Sequence, residues 1–241
     1  DEGFTDADDD VYTANLGATG VLNGWAWGLL GVYNMADGEL APGVDHPADG
    51  HFIFSPWFQG EVAGVTLAGA ANISEGLDRT VATGGAYDDE TGIAVMLRAG
   101  VPVGAVDVEG QILYAKDGGI VNQGFDTFSS FINNNPVTNQ NPLNVVDVGG
   151  PGSENHMVAA LRVSGNLTEF FKLQLAAGIV DIDDDPAGPV AIDESGEFYE
   201  LNAYYQATPS TTIWATVGQL AAEDILGDDI TGMSLNLRTE F

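Results

Sequence analysis

From Met233 to the final Phe241 the chain alternates. Met233, Leu235, Leu237, Thr239 and Phe241 fall in one phase, and Ser234, Asn236, Arg238 and Glu240 fall in the other. Successive side chains of a β-strand point to opposite faces, so this pattern predicts a ribbon with one greasy and one polar side. The same period recurs along the sequence. Eleven strands are predicted, at 10–19, 24–35, 51–60, 63–74, 91–99, 104–116, 155–164, 169–180, 196–206, 211–221 and 229–241. The connections alternate in length. Short ones fall at 20–23, around Gly60-Glu61, at 100–103, 165–168 and 207–210; long ones at 36–50, 75–90, 117–154, 181–195 and 222–228.

One phase of nearly every segment is apolar: Trp25, Trp27, Leu29 and Tyr33; Ile93, Val95 and Leu97; Leu161 and Val163; Leu173, Leu175 and Ile179. A soluble β-sandwich would turn such a face inward around a thin core. It would not alternate very short with very long connections. No run of 18 or more apolar residues exists, so no membrane-spanning helix is expected. The other way to span a bilayer is a closed β-barrel, in which no backbone edge is left unpaired.

Composition narrows the partners. With 36 acids against 6 bases the formal charge is −30, which argues against nucleic acid. Mean hydropathy is nonetheless slightly positive, unlike a disordered acidic chain. The 32 glycines suit strands and turns better than helices. So large an acidic excess suits a saline or divalent-rich habitat, where carboxylates are screened. There is no cysteine, and the chain opens at Asp1 without a basic-then-apolar leader, so any secretory signal is expected to have been removed.

The terminal strand and its closing Phe241 resemble the end of Gram-negative outer-membrane β-barrel proteins of the porin-like kind. That resemblance implies an all-β fold, a closed antiparallel transmembrane β-barrel of about 12 strands, within roughly 10 to 14. It implies a single domain over 1–241, set in outer-membrane lipid, with short turns and C-terminus in the periplasm and long loops outside. Phe241 would be the signal read by the barrel insertion machinery. Eleven segments conflict with the even count of single-chain bacterial barrels, hence the estimate of twelve.

Within this frame the bases are informative. Of six, Arg98, Arg162, Lys172 and Arg238 share the inward phase near the short-turn end. Asp107, Glu109, Glu200 and Glu240 share that phase. These eight residues are the candidate pore lining. A mixed-charge belt orders water and selects solutes in channels, or braces a filled interior by ion pairs. Inward positions of the fourth segment are small (Gly64, Thr66, Ala68, Ala70, Asn72), leaving room for something. Segment 117–154, with Phe125, Phe128 and Phe131, resembles in position and length the loop that narrows the lumen of diffusion porins. The alternative is a surface loop with no role in the pore.

Other chemistry is thinner. Asp181, Asp183 and Asp185 open like a calcium loop, but Pro186 stands where Gly is needed and Ile192 where Glu is needed. No cofactor is expected beyond loosely held Ca²⁺ or Mg²⁺ at the extracellular loops. Ser153 and His156 have no orienting partner for nucleophilic catalysis, so no enzyme is expected. The functional expectation is passive diffusion of small hydrophilic solutes or ions, in a monomer or homo-oligomer. The competing expectation is a non-conducting structural or adhesive barrel, a component of a larger surface assembly. If Phe241 is the insertion signal, deleting it lowers the yield of folded, membrane-inserted protein in cells. Normal yield of the truncated chain would refute that role.

Overall fold

Strands form wherever two-residue periodicity meets β-branched and aromatic residues, and the turns between them need particular backbone angles. A computed structural model describes residues 10–37, 39–41, 44–45, 52–75, 91–117, 128–129, 132–133, 146–147, 153–184, 192–221 and 229–239. In chain order the elements are β1 Asp10–Leu22, β2 Trp25–Asp37, β3 Glu39–Ala41, β4 Val44–Asp45, β5 Phe52–Val62, β6 Val65–Glu75, β7 Gly92–Val103 and β8 Val106–Lys116. They continue with β9 Ile132–Asn133, β10 Val146–Asp147, β11 Ser153–Asn166, β12 Phe171–Asp184, β13 Ile192–Thr208, β14 Thr211–Ala221 and β15 Ile230–Thr239.

Eleven of these form one sheet in the order β1-β2-β5-β6-β7-β8-β11-β12-β13-β14-β15, each antiparallel to its neighbours. They correspond to the eleven segments expected from the sequence. The expected closure and twelfth strand are not seen among the described residues: β1 and β15 are the two edges of an open sheet. The segments 36–50 and 117–154 are not plain loops either. The first carries the antiparallel pair β3–β4, and the second the parallel pair β9–β10.

Several strands run farther than the pattern suggested, because the true turns lie two or three residues later. The first hairpin turns at Asn23-Gly24, with φ of 52° and 82°, not at Gly20. An Asn-Gly pair tolerates two successive left-handed residues, and its twist matches the flanking strands. The next turns at Ala63-Gly64, with φ of 52° and 80°. Gly20 lies instead within β1, and the Trp27 ring occupies the space its Cβ would need, at 2.8 Å. Gly60 lies likewise under Trp25, and Trp25 and Phe58 form a tilted pair with centroids 5.9 Å apart. Glycine here lets indole rings lie flat on the strand near the short-turn end.

The two faces have inverted polarity relative to a soluble sheet. One face exposes Leu97, Ile112, Leu161, Leu175, Met233, Leu235 and Leu237, the last three at 66–79%. The opposite face buries Ala94, Leu113, Val158, Val180, Phe198 and Leu220 completely. Contiguous exposed apolar surface on this scale marks contact with lipid or another protein.

Ala63 sits in a left-handed conformation that costs an L-residue with a Cβ roughly 1–2 kcal/mol. Ala63→Asn recreates the Asn-Gly turn of the first hairpin. It raises stability by about 1 kcal/mol in urea unfolding of the detergent-solubilised protein. No shift in the midpoint would show that the turn is not under strain.

Candidate functional site

Register stacks the buried face into rows that change character along the strands. Toward the long connections Met96, Leu113, Val158 and Val180 form an apolar row joined through consecutive pairings, and the next row joins Ala94 and Ala115 to the buried polar Asn72 and His156. Nearest the short turns a polar row runs Asp107, Ser164, Gln174, Asn202, Thr216 and Ser234. Between them lies a charged row, Glu109–Arg162–Ala176–Glu200. Two rows apart on a strand is about 13 Å, so polarity changes sharply along the axis.

Arg162 Nε donates to Glu109 Oε2 at 2.7 Å, and Nη2 lies 2.5 Å from the same oxygen. Both side chains are about one fifth exposed. Charge-assisted hydrogen bonds of this kind are stronger than neutral ones. Gly100 leaves room for this carboxylate: a Cβ there would meet Glu109 Cγ at 3.1 Å. Glu200, 5% exposed, accepts from Asn202 Nδ2 at 2.6 Å, and Asn202 Oδ1 accepts from Thr216 Oγ1 at 2.5 Å. The chain of bonds fixes the carboxylate against β13 and β14.

Phe128, from segment 117–154, lies against this row. Its ring centroid is 4.8 Å from the guanidinium carbon of Arg98 and 4.1 Å from that of Arg162. It is 3% exposed and belongs to the same apolar cluster as Met96, Leu113, Val158 and Phe198. One side chain thus joins the apolar rows to the charged one through dispersion and cation–π attraction. Gly178 permits a close approach: a Cβ there would meet the Phe198 ring at 2.7 Å and the Ala159 carbonyl oxygen closer still.

Of the residues expected in the lining, the structure brings Arg98, Glu109, Arg162 and Glu200 into adjoining rows. Asp107, Lys172 and Arg238 share the face but lie nearer the short turns, Lys172 opposite Tyr204 and Arg238 opposite Thr212. Glu240 and Phe241 lie outside the described residues. Of the expected cation ligands, Asp181 is exposed on the opposite, apolar face; Asp183 lies in β12 with its side chain outside the description, and Asp185 lies outside it altogether. No group of three metal-binding side chains is found among the described residues. His156 is 4% exposed on the buried face.

Sequence reasoning missed the apolar rows of the buried face and the anchoring role of Phe128. The signal was present in Ile112-Leu113-Tyr114-Ala115 and Ile179-Val180, where alternation lapses and both phases are apolar. A strand apolar on both faces is covered on both.

If Phe128 couples the two halves of this face, Phe128→Ala destabilises the fold by about 3–5 kcal/mol, and Phe128→Leu by less. Thermal unfolding in detergent measures both. Equal and small shifts would show that the ring is a bystander.

No family model matches the chain, and no curated protein matches it. Solved structures do. OmpTdeltaL8, the loop L8 deletion mutant of OmpT, an outer membrane protein of Vibrio cholerae, matches with a TM-score of 0.53 at 11% identity, over 93% of this chain and 62% of that one. The outer membrane channel DcaP of Acinetobacter baumannii matches with a TM-score of 0.53 at 14% identity, over 96% of this chain and 61% of that one. The chain therefore spans less than two thirds of the length of either. The exposed apolar face, the antiparallel meander and these likenesses agree: the chain has the fold of porin-like outer-membrane β-barrel proteins.

Proposed function

We propose that this chain forms the wall of an outer-membrane channel for passive diffusion of small hydrophilic solutes or ions. In this reading the sheet is part of a closed ring with its apolar face in lipid, its long connections outside the cell and its short turns in the periplasm. The observation that carries the proposal is the charged row Glu109–Arg162–Glu200, with Phe128 seated on Arg98 and Arg162 beside it. Charges and an inserted loop residue at one level of a lumen narrow it and give it a field. Asp107, Lys172, Arg238 and Glu240 extend the lining toward the periplasmic mouth. The activity is non-enzymatic and needs no cofactor. Divalent ions at the acidic loops are loosely held counter-ions.

A second reading has its own support. The fully buried Leu113, Val158, Val180, Phe198 and Leu220 on the inner face fit a filled interior, hence a non-conducting structural or adhesive barrel.

Planar-bilayer conductance of protein extracted from membranes separates the two. The chain carries a net charge of −30, so a channel mouth attracts cations over a Debye length, about 10 Å at 0.1 M salt. The expected result is a weak cation preference that fades as salt rises. Arg162→Ala increases it, because Glu109 loses its counter-charge. Strong anion selectivity at low salt would show that the mouth field is not in control. No conductance at any salt would leave the filled barrel.

A further inference from the structure

The polar row of the inner face leaves hydrogen-bonding capacity unused. Asn202 is tied on both sides, accepting from Thr216 and donating to Glu200. Its cross-strand neighbour Gln174, and Ser164 beyond that, are not. They are 8% and 3% exposed, yet among the described residues neither side chain has a hydrogen-bond partner. Buried polar side chains are nearly always bonded, so these two call for an explanation. On its short-turn side the row is flanked by Lys172, Tyr204 and Trp214, joined through consecutive pairings on the same face. Both rings are half-buried. Neither the Tyr204 hydroxyl nor the Trp214 Nε1 is bonded among the described residues. Gln174 and Trp214 are two strands and one row apart, about 10 Å across the sheet and about 7 Å along it. Two aromatic rings and a set of unspent donors and acceptors therefore share one patch.

We propose that this patch is a binding site for a neutral carbohydrate about two sugar rings long. The proposal rests on the reading of this face as a lumen wall and names the class of solute. A sugar ring has an apolar C–H face for Tyr204 and Trp214, and a rim of hydroxyls that both donate and accept. The Gln174 amide and the Ser164 and Tyr204 hydroxyls also donate and accept, while the Trp214 N–H and the Lys172 ammonium donate. Charge does not select here. Glu200 is bonded to Asn202, and Arg162 to Glu109. Lys172 and Asp107, which have no ion-pair partner among the described residues, are one of each sign. An aromatic acid or amine would cover the rings but leave Gln174 and Ser164 unbonded. A sugar satisfies both halves of the patch at once.

The test uses the full chain in a detergent without a sugar headgroup, titrated with cellobiose in a calorimeter. Benzoate and tyramine, an aromatic anion and an aromatic cation, are the comparators. One cellobiose per chain is expected, bound more tightly than either comparator. Trp214→Leu weakens binding roughly tenfold, the size of one ring contact. Gln174→Leu, independently, weakens it roughly fivefold, the size of one neutral hydrogen bond. Tyr205→Leu, the next residue along but on the opposite face, binds as the wild type does. Heat-dependent gel mobility confirms that each variant is folded. No binding by the folded wild type, tighter binding of benzoate or tyramine, or equal loss in Tyr205→Leu overturns the proposal. So does unchanged binding in both Trp214→Leu and Gln174→Leu. Planar-bilayer recordings separate the site from the channel. Protein that binds cellobiose but never conducts refutes the channel and keeps the site, whereas conduction without cellobiose binding refutes the site and keeps the channel.

Discussion

The backbone ladder is the constraint on which the rest depends. Every strand of the large sheet pairs antiparallel with its neighbour through ten or so residues, and each pairing satisfies groups that hydrocarbon would leave unbonded. Once the ladder is in place, side chains have only two directions to go. The exposed direction can be largely apolar, because few hydrogen bonds are required of it; Asp181 and Glu197 interrupt it. The opposite direction is free to carry Glu109, Arg162, Glu200 and Asn202, whose hydrogen bonds are made within the face itself. Burying a charge without such a partner costs several kcal/mol. The charged row therefore depends on register bringing Arg162 opposite Glu109 and on Asn202 donating to Glu200.

The gradient along the inner face gives segment 117–154 a place to anchor. Phe128 has a ring for the apolar rows and a π-face for two guanidinium groups. A purely polar face would give the ring nothing to pack on, and a purely apolar one would give no orientation. Both guanidinium groups lie against the one ring, and Arg162 is also paired with Glu109. Loop placement and wall chemistry are thus one feature, and a change in either alters the other.

Much of this was legible in the sequence. The eleven strands and the exposed phase, from Leu97 through Leu237, follow from a period of two that no other local structure produces. The inward phase of Arg98, Glu109, Arg162 and Glu200 follows from the same count. The turns were less legible. Asn23-Gly24 is a strong hairpin signal, but Gly20 in a strand looks the same as Gly20 in a turn until the Trp27 ring above it is seen. Phe128 was legible only as one of three aromatics in a long segment. Which of them docks depends on the distance between Arg98 and Arg162 across β7, β8 and β11, which sequence spacing does not contain.

The direction of the edge strands has a consequence for closure. In an antiparallel meander of eleven members, the first and the last run the same way. β1 and β15 therefore cannot join each other in the pattern that unites the rest. Any ring that contains this sheet and stays antiparallel throughout must interpose an odd number of strands between them. The parity of the whole, not the length of any loop, fixes what can complete it.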